Sequence, residues 1–215
     1  GKAARVYLIS KQTLIAFLFD LGGVLAGWII SQLIPTLRSV PWILIIYPMA
    51  LTVRGNIAGV FSGNLSTLLN IGLIKPKFVE NTESYYSLIV SVMFVTIVTG
   101  LMLGFFSFLS DFILLGASLA DFILIMTTSI SVMALSSIIT APINIFVGVA
   151  SFRSGMAPDI LVYPAMSTIA DIVVSCCMVL VVSLYAITLN GNPLVTILLT
   201  LIFIIPLIYL SLRRI

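Results

Sequence analysis

The chain has 215 residues, of which 61% are hydrophobic and 8% are charged, with ten basic residues and seven acids. Soluble domains carry about 25% charged residues, so this composition excludes a soluble protein and predicts a polytopic membrane protein. Histidine is absent, which disfavours a zinc or copper site and leaves oxygen ligands for any bound metal.

The hydropathy pattern predicts an all-α protein with six membrane spans. The expected spans are residues 13–34, 41–73, 85–109, 113–150, 160–189 and 193–212. The first span follows a basic segment but has no clear cleavage site, so we interpret it as a retained helix. The second and fourth spans exceed the ~20 residues that one crossing needs. They should therefore tilt, protrude or break, and the candidate breaks are residues 55–64 and Pro142 with Asn144.

The distribution of basic residues predicts the orientation. With six spans and a cytoplasmic N-terminus, one basic residue, Arg38, falls outside and eight fall inside: Lys2, Arg5, Lys11, Lys75, Lys77, Arg153, Arg213 and Arg214. Cytoplasmic loops carry an excess of Lys and Arg. The asymmetry therefore favours six spans with both termini in the cytoplasm.

The second span is unusually polar for a membrane helix. Between Tyr47 and Gly72 it carries Arg54, three asparagines and four glycines. Such a segment is tolerated at membrane depth only where it packs inside protein or lines a wet cavity. We interpret it as part of a pore that includes Asn56 and Asn64. Glycines spaced by four residues also predict close helix approach elsewhere, at Gly23 and Gly27 and at Gly100 and Gly104.

The acids fall into two groups. Five are expected in or near loops, where a solvated carboxylate needs no explanation: Glu80, Glu83, Asp111, Asp121 and Asp159. Asp20 and Asp171 lie within spans. Asp171 is about 16 Å into the fifth span, near the bilayer centre, where a charge needs a cavity, a partner or a cation. Ser167, Thr168 and Ser175, one turn away, extend the same polar stripe.

Two interpretations of the intramembrane acids stay open. Either acid could form an ion pair with Arg54, the deep basic residue of the second span. One arginine cannot neutralise both acids, and a spare carboxylate beside amide and hydroxyl oxygens suits a hard cation. The sequence contains no catalytic triad, phosphate loop or paired-acid motif, so we do not expect an enzyme.

Three stretches resemble a known family of membrane proteins. The pattern P-x-x-L-x-x-R-G-N-I-x-x-x-F-x-x-x-L-S-T-x-x-N-I-G, from Pro48 to Gly72, resembles the second-helix signature of solute carrier family 41. More distantly, it resembles the glycine and asparagine motif of the bacterial MgtE magnesium channels. The stretch DLGGVLAGW, from Asp20 to Trp28, looks like the first helix of the solute carrier branch. A third set resembles the run that opens the last helix of the MgtE core: Gly155, Pro158, Asp159, Pro164, Thr168 and Asp171.

The resemblance covers residues 13–190 and implies an MgtE-like five-helix core. Such cores work in pairs, as a homodimer or as two halves of one chain, with a cation path on the two-fold axis. Asp171 would then hold a largely hydrated magnesium ion, and Asn56 would line the path beside it. Secondary contacts are expected from Gly55, Ser167, Thr168 and Asp20. Residues 1–12 are expected to be a cytoplasmic segment, and residues 191–215 an additional transmembrane helix with a basic cytoplasmic end.

These observations favour a divalent cation channel or transporter in the plasma membrane. Magnesium is the first choice of ion, with manganese and other divalent cations as alternatives. The expected partners are the lipid bilayer and a second core. The main rival is a sodium- or proton-coupled exchanger that uses Asp20 and Asp171. A rival from another class is a membrane scaffold that transports nothing.

Overall fold

All the elements that the structure describes are helices, as predicted for an all-α protein. The computed structural model describes residues 2–38, 40–78, 80–153, 158–188 and 193–212. The helices are α1 (Lys2–Ser31), α2 (Ile43–Asn70), α3 (Glu83–Leu115), α4 (Leu119–Arg153), α5 (Pro158–Thr188) and α6 (Pro193–Leu212), with a short 3-10 turn at Thr36–Arg38 between α1 and α2.

Each predicted span corresponds to one helix. The first and last residues of the first five helices differ from the predicted ones by between one and eleven residues. Helix α1 begins at Lys2, so residues 2–12 are helical and continuous with the first predicted span. Four stretches within the described residues are long and apolar enough to cross a membrane: Ile43–Asn70, Glu83–Leu115, Asp121–Arg153 and Ala165–Ala186. Their length and composition identify an integral membrane protein.

Helices α2 and α4 are continuous, so neither candidate break occurs. Helix α2 runs through residues 55–64, and α4 runs through Pro142. Polar side chains on α2 bond to carbonyls one turn earlier in their own helix, as Asn64 Nδ2 does to Val60 at 3.0 Å. Asn144 instead donates to the carbonyl of Ala58 on α2 at 3.1 Å. At about 1.5 Å per residue, α2 and α4 are longer than the ~30 Å hydrocarbon layer and must tilt or protrude.

Helix α4 lies at the centre of the bundle. It packs against α2, α3, α5 and α6, while α1 packs mainly against α5. The predicted close approach at Gly100 and Gly104 is confirmed, because both glycines face side chains and backbone of α4. The prediction for Gly23 and Gly27 is wrong within the described chain, since no atom lies near a Cβ built at either position. The glycine that contacts α5 is their neighbour Gly22.

Buried hydroxyl groups attach α6 to this core. Tyr185 on α5 bonds Ser131 on α4 at 2.8 Å and Thr200 on α6 at 3.1 Å. Ser131 and Thr200 are themselves 3.2 Å apart, so the three hydroxyls form a closed triangle. All three side chains are buried. The helix beyond the predicted five-helix core is therefore bonded directly to it.

Candidate functional site

Two glycines bring α1 and α2 against the polar stripe of α5. A Cβ built at Gly55 on α2 would lie 3.6 Å from the Ser167 hydroxyl oxygen. A Cβ built at Gly22 on α1 would overlap the Thr168 methyl group. Adjacent residues of α5 thus face two different helices. The contact at Gly22 leaves no room for a Cβ, whereas a Cβ at Gly55 would be in ordinary van der Waals contact with Ser167. The structure brings Gly55 next to Ser167, whereas Thr168 faces Gly22 on α1.

Asp171 follows one turn after this contact, near the middle of α5. Its side chain is half-buried, and its carboxylate makes no hydrogen bond or ion pair with the part of the chain that the structure describes. A carboxylate in this position is costly in lipid unless water, a cation or a partner group reaches it. The geometry leaves Asp171 able to hold a cation from an accessible side.

A tyrosine that the sequence analysis missed orients the next turn of α5. Ser175 donates its hydroxyl proton to the backbone carbonyl of Asp171 at 2.7 Å. Because that proton is used, Tyr47 must be the donor in its 2.9 Å bond to Ser175. The Tyr47 hydroxyl also lies 3.4 Å from the Ala26 carbonyl on α1. Tyr47 therefore bonds α2 to α5 beside Asp171, with its hydroxyl near α1. The available signal for it was its position as the first residue of the polar second segment.

Asn56 lies on another face of α2, toward α3. It lines a groove of about 300 Å³ between the two helices, together with Asn64 and Ser91. The remaining wall is apolar, and the Asn56 amide makes no hydrogen bond to the described residues. Within a single chain, Asn56 is thus turned away from the contact between Gly55 and Ser167.

Arg54 points into the interior between α2, α3 and α4. Its side chain is 2% exposed, and its guanidinium donates to the hydroxyls of Thr140 and, at 3.5 Å, Thr96. No ion pair joins Arg54 to Asp171, although both side chains are described. An ion pair between Arg54 and Asp171, one of the two interpretations left open by the sequence, is therefore wrong, because hydroxyl groups of α3 and α4 accept the hydrogen bonds of the guanidinium instead.

One of the acids expected in a loop is buried. Helix α3 extends to Leu115, beyond the predicted end at residue 109, so Asp111 lies in its last turns. Asp111 is 3% exposed, and its Oδ1 has no hydrogen-bond partner among the described residues. The longer helix turns this carboxylate inward, away from the solvent expected in a loop.

Several predicted residues lie outside what the structure describes. Gly155 falls in the undescribed residues 154–157, and the side chains of Asp20, Asp159 and Pro164 are likewise not described. The backbone places Asp20 two residues before Gly22, in the part of α1 that runs along α5.

The residues around Asp171 could bind a cation through oxygen ligands. A single carboxylate, two hydroxyls one turn before it and helix carbonyls are hard donors, which suit Mg²⁺, Ca²⁺ or Mn²⁺. No group of three or more Asp, Glu or Cys side chains comes together among the described residues. One carboxylate with hydroxyls is suited to hold Mg²⁺ through its water shell, since this ion dehydrates reluctantly and often keeps several waters.

Comparison with known proteins identifies the family. The family model of the divalent cation transporter MgtE matches residues 47–181. The match begins at Tyr47 and includes α3, α4 and the polar stripe of α5 through Asp171. Searches of curated proteins and of solved structures found no match. The matched region covers more than half of the 215 residues, and the chain belongs to the MgtE family of divalent cation transporters.

Proposed function

We propose that this chain forms a magnesium path centred on Asp171, with Mn²⁺ and other divalent cations as secondary ions. The observation that carries the proposal is the Asp171 carboxylate, half-buried in the middle of α5 and unpartnered among the described residues. An unpaired charge at this depth is expensive. A hydrated divalent cation would offset that cost.

The neighbouring residues have assigned roles in this proposal. Ser167, Thr168 and the carbonyl oxygens near Gly55 would contact the water shell of the ion. Asn56 would offer its amide oxygen along the same path, and Asp20 would attract cations from α1. The contact of Gly55 with Ser167 supports this grouping, because it brings the backbone of α2 next to α5.

A second core would complete the path. One face of α2 is exposed in the single chain and carries polar or small residues around the exposed Val60: Thr52, Asn56, Gly63, Asn64 and Thr67. Lipid cannot satisfy an amide such as that of Asn56, whereas a facing helix or a water-filled pore can. We therefore propose a homodimer, or a pair with a second MgtE-like half, with α2 and α5 near the two-fold axis.

The proposed location is the plasma membrane, with both termini in the cytoplasm. The eight-to-one distribution of basic residues between the two sides of a six-span chain supports the orientation of the termini. Six helices, α1 to α6, are described between Lys2 and Leu212, and four stretches of them are long and apolar enough to cross a membrane.

Magnesium uptake into liposomes that contain the purified protein tests the proposal. Wild type and Asp171→Ala are compared with and without a sodium or proton gradient. We expect wild-type uptake that needs no gradient and a loss of at least about tenfold in the variant, because one charge–cation contact is worth more than about 1.4 kcal/mol at membrane depth.

The other outcomes separate the rival functions. Uptake that requires a sodium or proton gradient would support the coupled exchanger instead of a channel. If neither protein takes up divalent cations while both remain folded, this chain alone is not a transporter. That result would favour a scaffold or the need for a second, different half.

A further inference from the structure

One end of the bundle carries three exposed basic residues beside two exposed aromatic rings. Lys75 and Lys77 lie in the connection between α2 and α3, and Arg153 is the last residue of α4. Phe78 and Phe146 lie beside them, 41% and 61% exposed. We refer to these five residues as the basic corner. The cation path proposed above does not use any of them.

Arg153 holds the basic corner together. Its Nε donates to the Pro76 carbonyl at 2.9 Å, its Nη2 donates to the same oxygen, and its guanidinium lies 5.7 Å from the centre of the Phe78 ring. Because Pro76 lies between the two lysines, this bond fixes their backbone relative to the end of α4. The other guanidinium edge donates no hydrogen bond to the described residues.

A single asparagine makes the connection rigid. Asn81 Oδ1 accepts from the backbone N–H groups of Lys75 and Thr82, both at 2.9 Å, and its Nδ2 donates to the carbonyls of Lys75 and Lys77, both at 2.8 Å. A loop held in this way loses little further freedom when a ligand binds, which favours affinity.

The three cations lack an acidic partner among the described residues. Glu80 and Glu83 are close in sequence, but neither forms an ion pair with Lys75, Lys77 or Arg153. Three positive charges at the edge of a membrane protein attract anions of the lipid surface, and each contributes measurably to that attraction.

The aromatic pair shows which kind of anion fits. Phe78 stacks on Phe146 with ring centroids 5.6 Å apart and an interplanar angle of 17°. Phe146 is seven residues before Arg153 on α4, so it lies about 10 Å deeper along the helix. Since α4 is long and apolar enough to cross a membrane, its end with Arg153 would lie toward the headgroups and the exposed ring of Phe146 toward the acyl chains. A free phosphate would use only the first of these features.

We propose that the basic corner binds an anionic phospholipid. The phosphodiester contacts Lys75, Lys77 and the open edge of Arg153, and an acyl chain lies along Phe78 and Phe146. The amphipathic surface matches a molecule that has a negative headgroup and an apolar tail, which a neutral lipid or a soluble anion matches only in part.

Titration of the purified protein in neutral detergent tests this proposal independently of transport. The ligands are dioctanoyl phosphatidylglycerol, dioctanoyl phosphatidylcholine and glycerol phosphate, and the readout is the concentration that gives half of the maximal rise in melting temperature. We expect wild type to respond to phosphatidylglycerol at the lowest concentration. In Lys75→Gln/Lys77→Gln this midpoint should rise about 25-fold, because each of the two basic residues contributes about fivefold near an anionic lipid.

Matched variants test whether the effect depends on the charge, the position and the aromatic rings of the basic corner. Lys75→Arg/Lys77→Arg keeps both charges and should respond like wild type, as should Arg38→Gln, at the other end of the bundle. Phe146→Ala should weaken the response to phosphatidylglycerol. An equal midpoint for phosphatidylglycerol in the Gln double variant and wild type would overturn the proposal. So would an equal response to glycerol phosphate, which would indicate a free-phosphate site.

Discussion

At the residue scale, Gly22 is the position where a single methyl group has the largest predicted effect. A Cβ there would overlap Thr168 on α5, one turn before Asp171, whereas a Cβ at the adjacent Gly23 meets nothing within 4 Å. Gly22→Ala should therefore lower stability by about 1–3 kcal/mol through overpacking, with reduced magnesium flux. Gly23→Ala should be neutral or slightly stabilising, because alanine is the better helix former by up to about 1 kcal/mol.

Thermal unfolding in detergent and flux in liposomes check this pair of variants. Both substitutions add the same methyl group to neighbouring positions of α1, so they differ only in what lies opposite. Equal melting temperatures for the two variants would show that α1 does not pack on α5 at Thr168.

Arg54 illustrates what a sequence can and cannot tell at this scale. Its burial could be predicted, since a charge in an apolar segment needs a protein or water environment. The choice of partner could not, because acids on α1 and α5 and hydroxyls on α3 and α4 are all compatible with the sequence. In the structure Thr96 and Thr140 accept its hydrogen bonds, and both are buried. The Asp171 carboxylate is therefore left without an ion pair among the described residues.

At the element scale, the hydroxyl triangle should determine how firmly α6 is held. Tyr185→Phe and Thr200→Val each remove one hydroxyl from a buried set of three that are 2.8–3.2 Å apart. Each change should cost about 0.5–1.5 kcal/mol. The double variant should lose less than the sum, because after the first hydroxyl is gone the second has fewer partners to lose.

A double-mutant cycle of melting temperatures and unfolding free energies measures this coupling. Membrane hydrogen bonds give about 0.6 kcal/mol on average in such cycles, so the expected coupling is of that size. Strictly additive effects would mean that Tyr185 and Thr200 do not bond each other.

The number and positions of the helices could be predicted because hydropathy reports directly on what lipid accepts. The hydropathy pattern predicts the last span at residues 193–212, and α6 has these bounds, Pro193–Leu212. The internal breaks could not be predicted reliably. Glycine and proline weaken an isolated helix, but packing of α2 and α4 inside the bundle keeps both continuous.

At the scale of the whole molecule, the site depends on which helices are neighbours. The sequence placed Asp171, Ser167 and Thr168 on one stripe, since helical spacing is periodic. It could not predict that Gly22 and not Gly23 faces this stripe, or that Asn56 faces α3. In lipid, apolar side chains cover nearly every helix face, so periodicity carries little information about which face is inside. For the same reason, the hydrogen bond between Tyr47 and Ser175 could not be predicted from the sequence.

The measurement that tests the central claim most directly is magnesium flux in liposomes for Asp171→Asn beside Asp111→Asn. Both variants remove one carboxylate charge with little change in shape, but Asp171 is on the proposed path and Asp111 is buried at the end of α3. The account predicts that flux falls at least about tenfold in Asp171→Asn and persists in Asp111→Asn, with both variants folded. Wild-type flux in Asp171→Asn would contradict it.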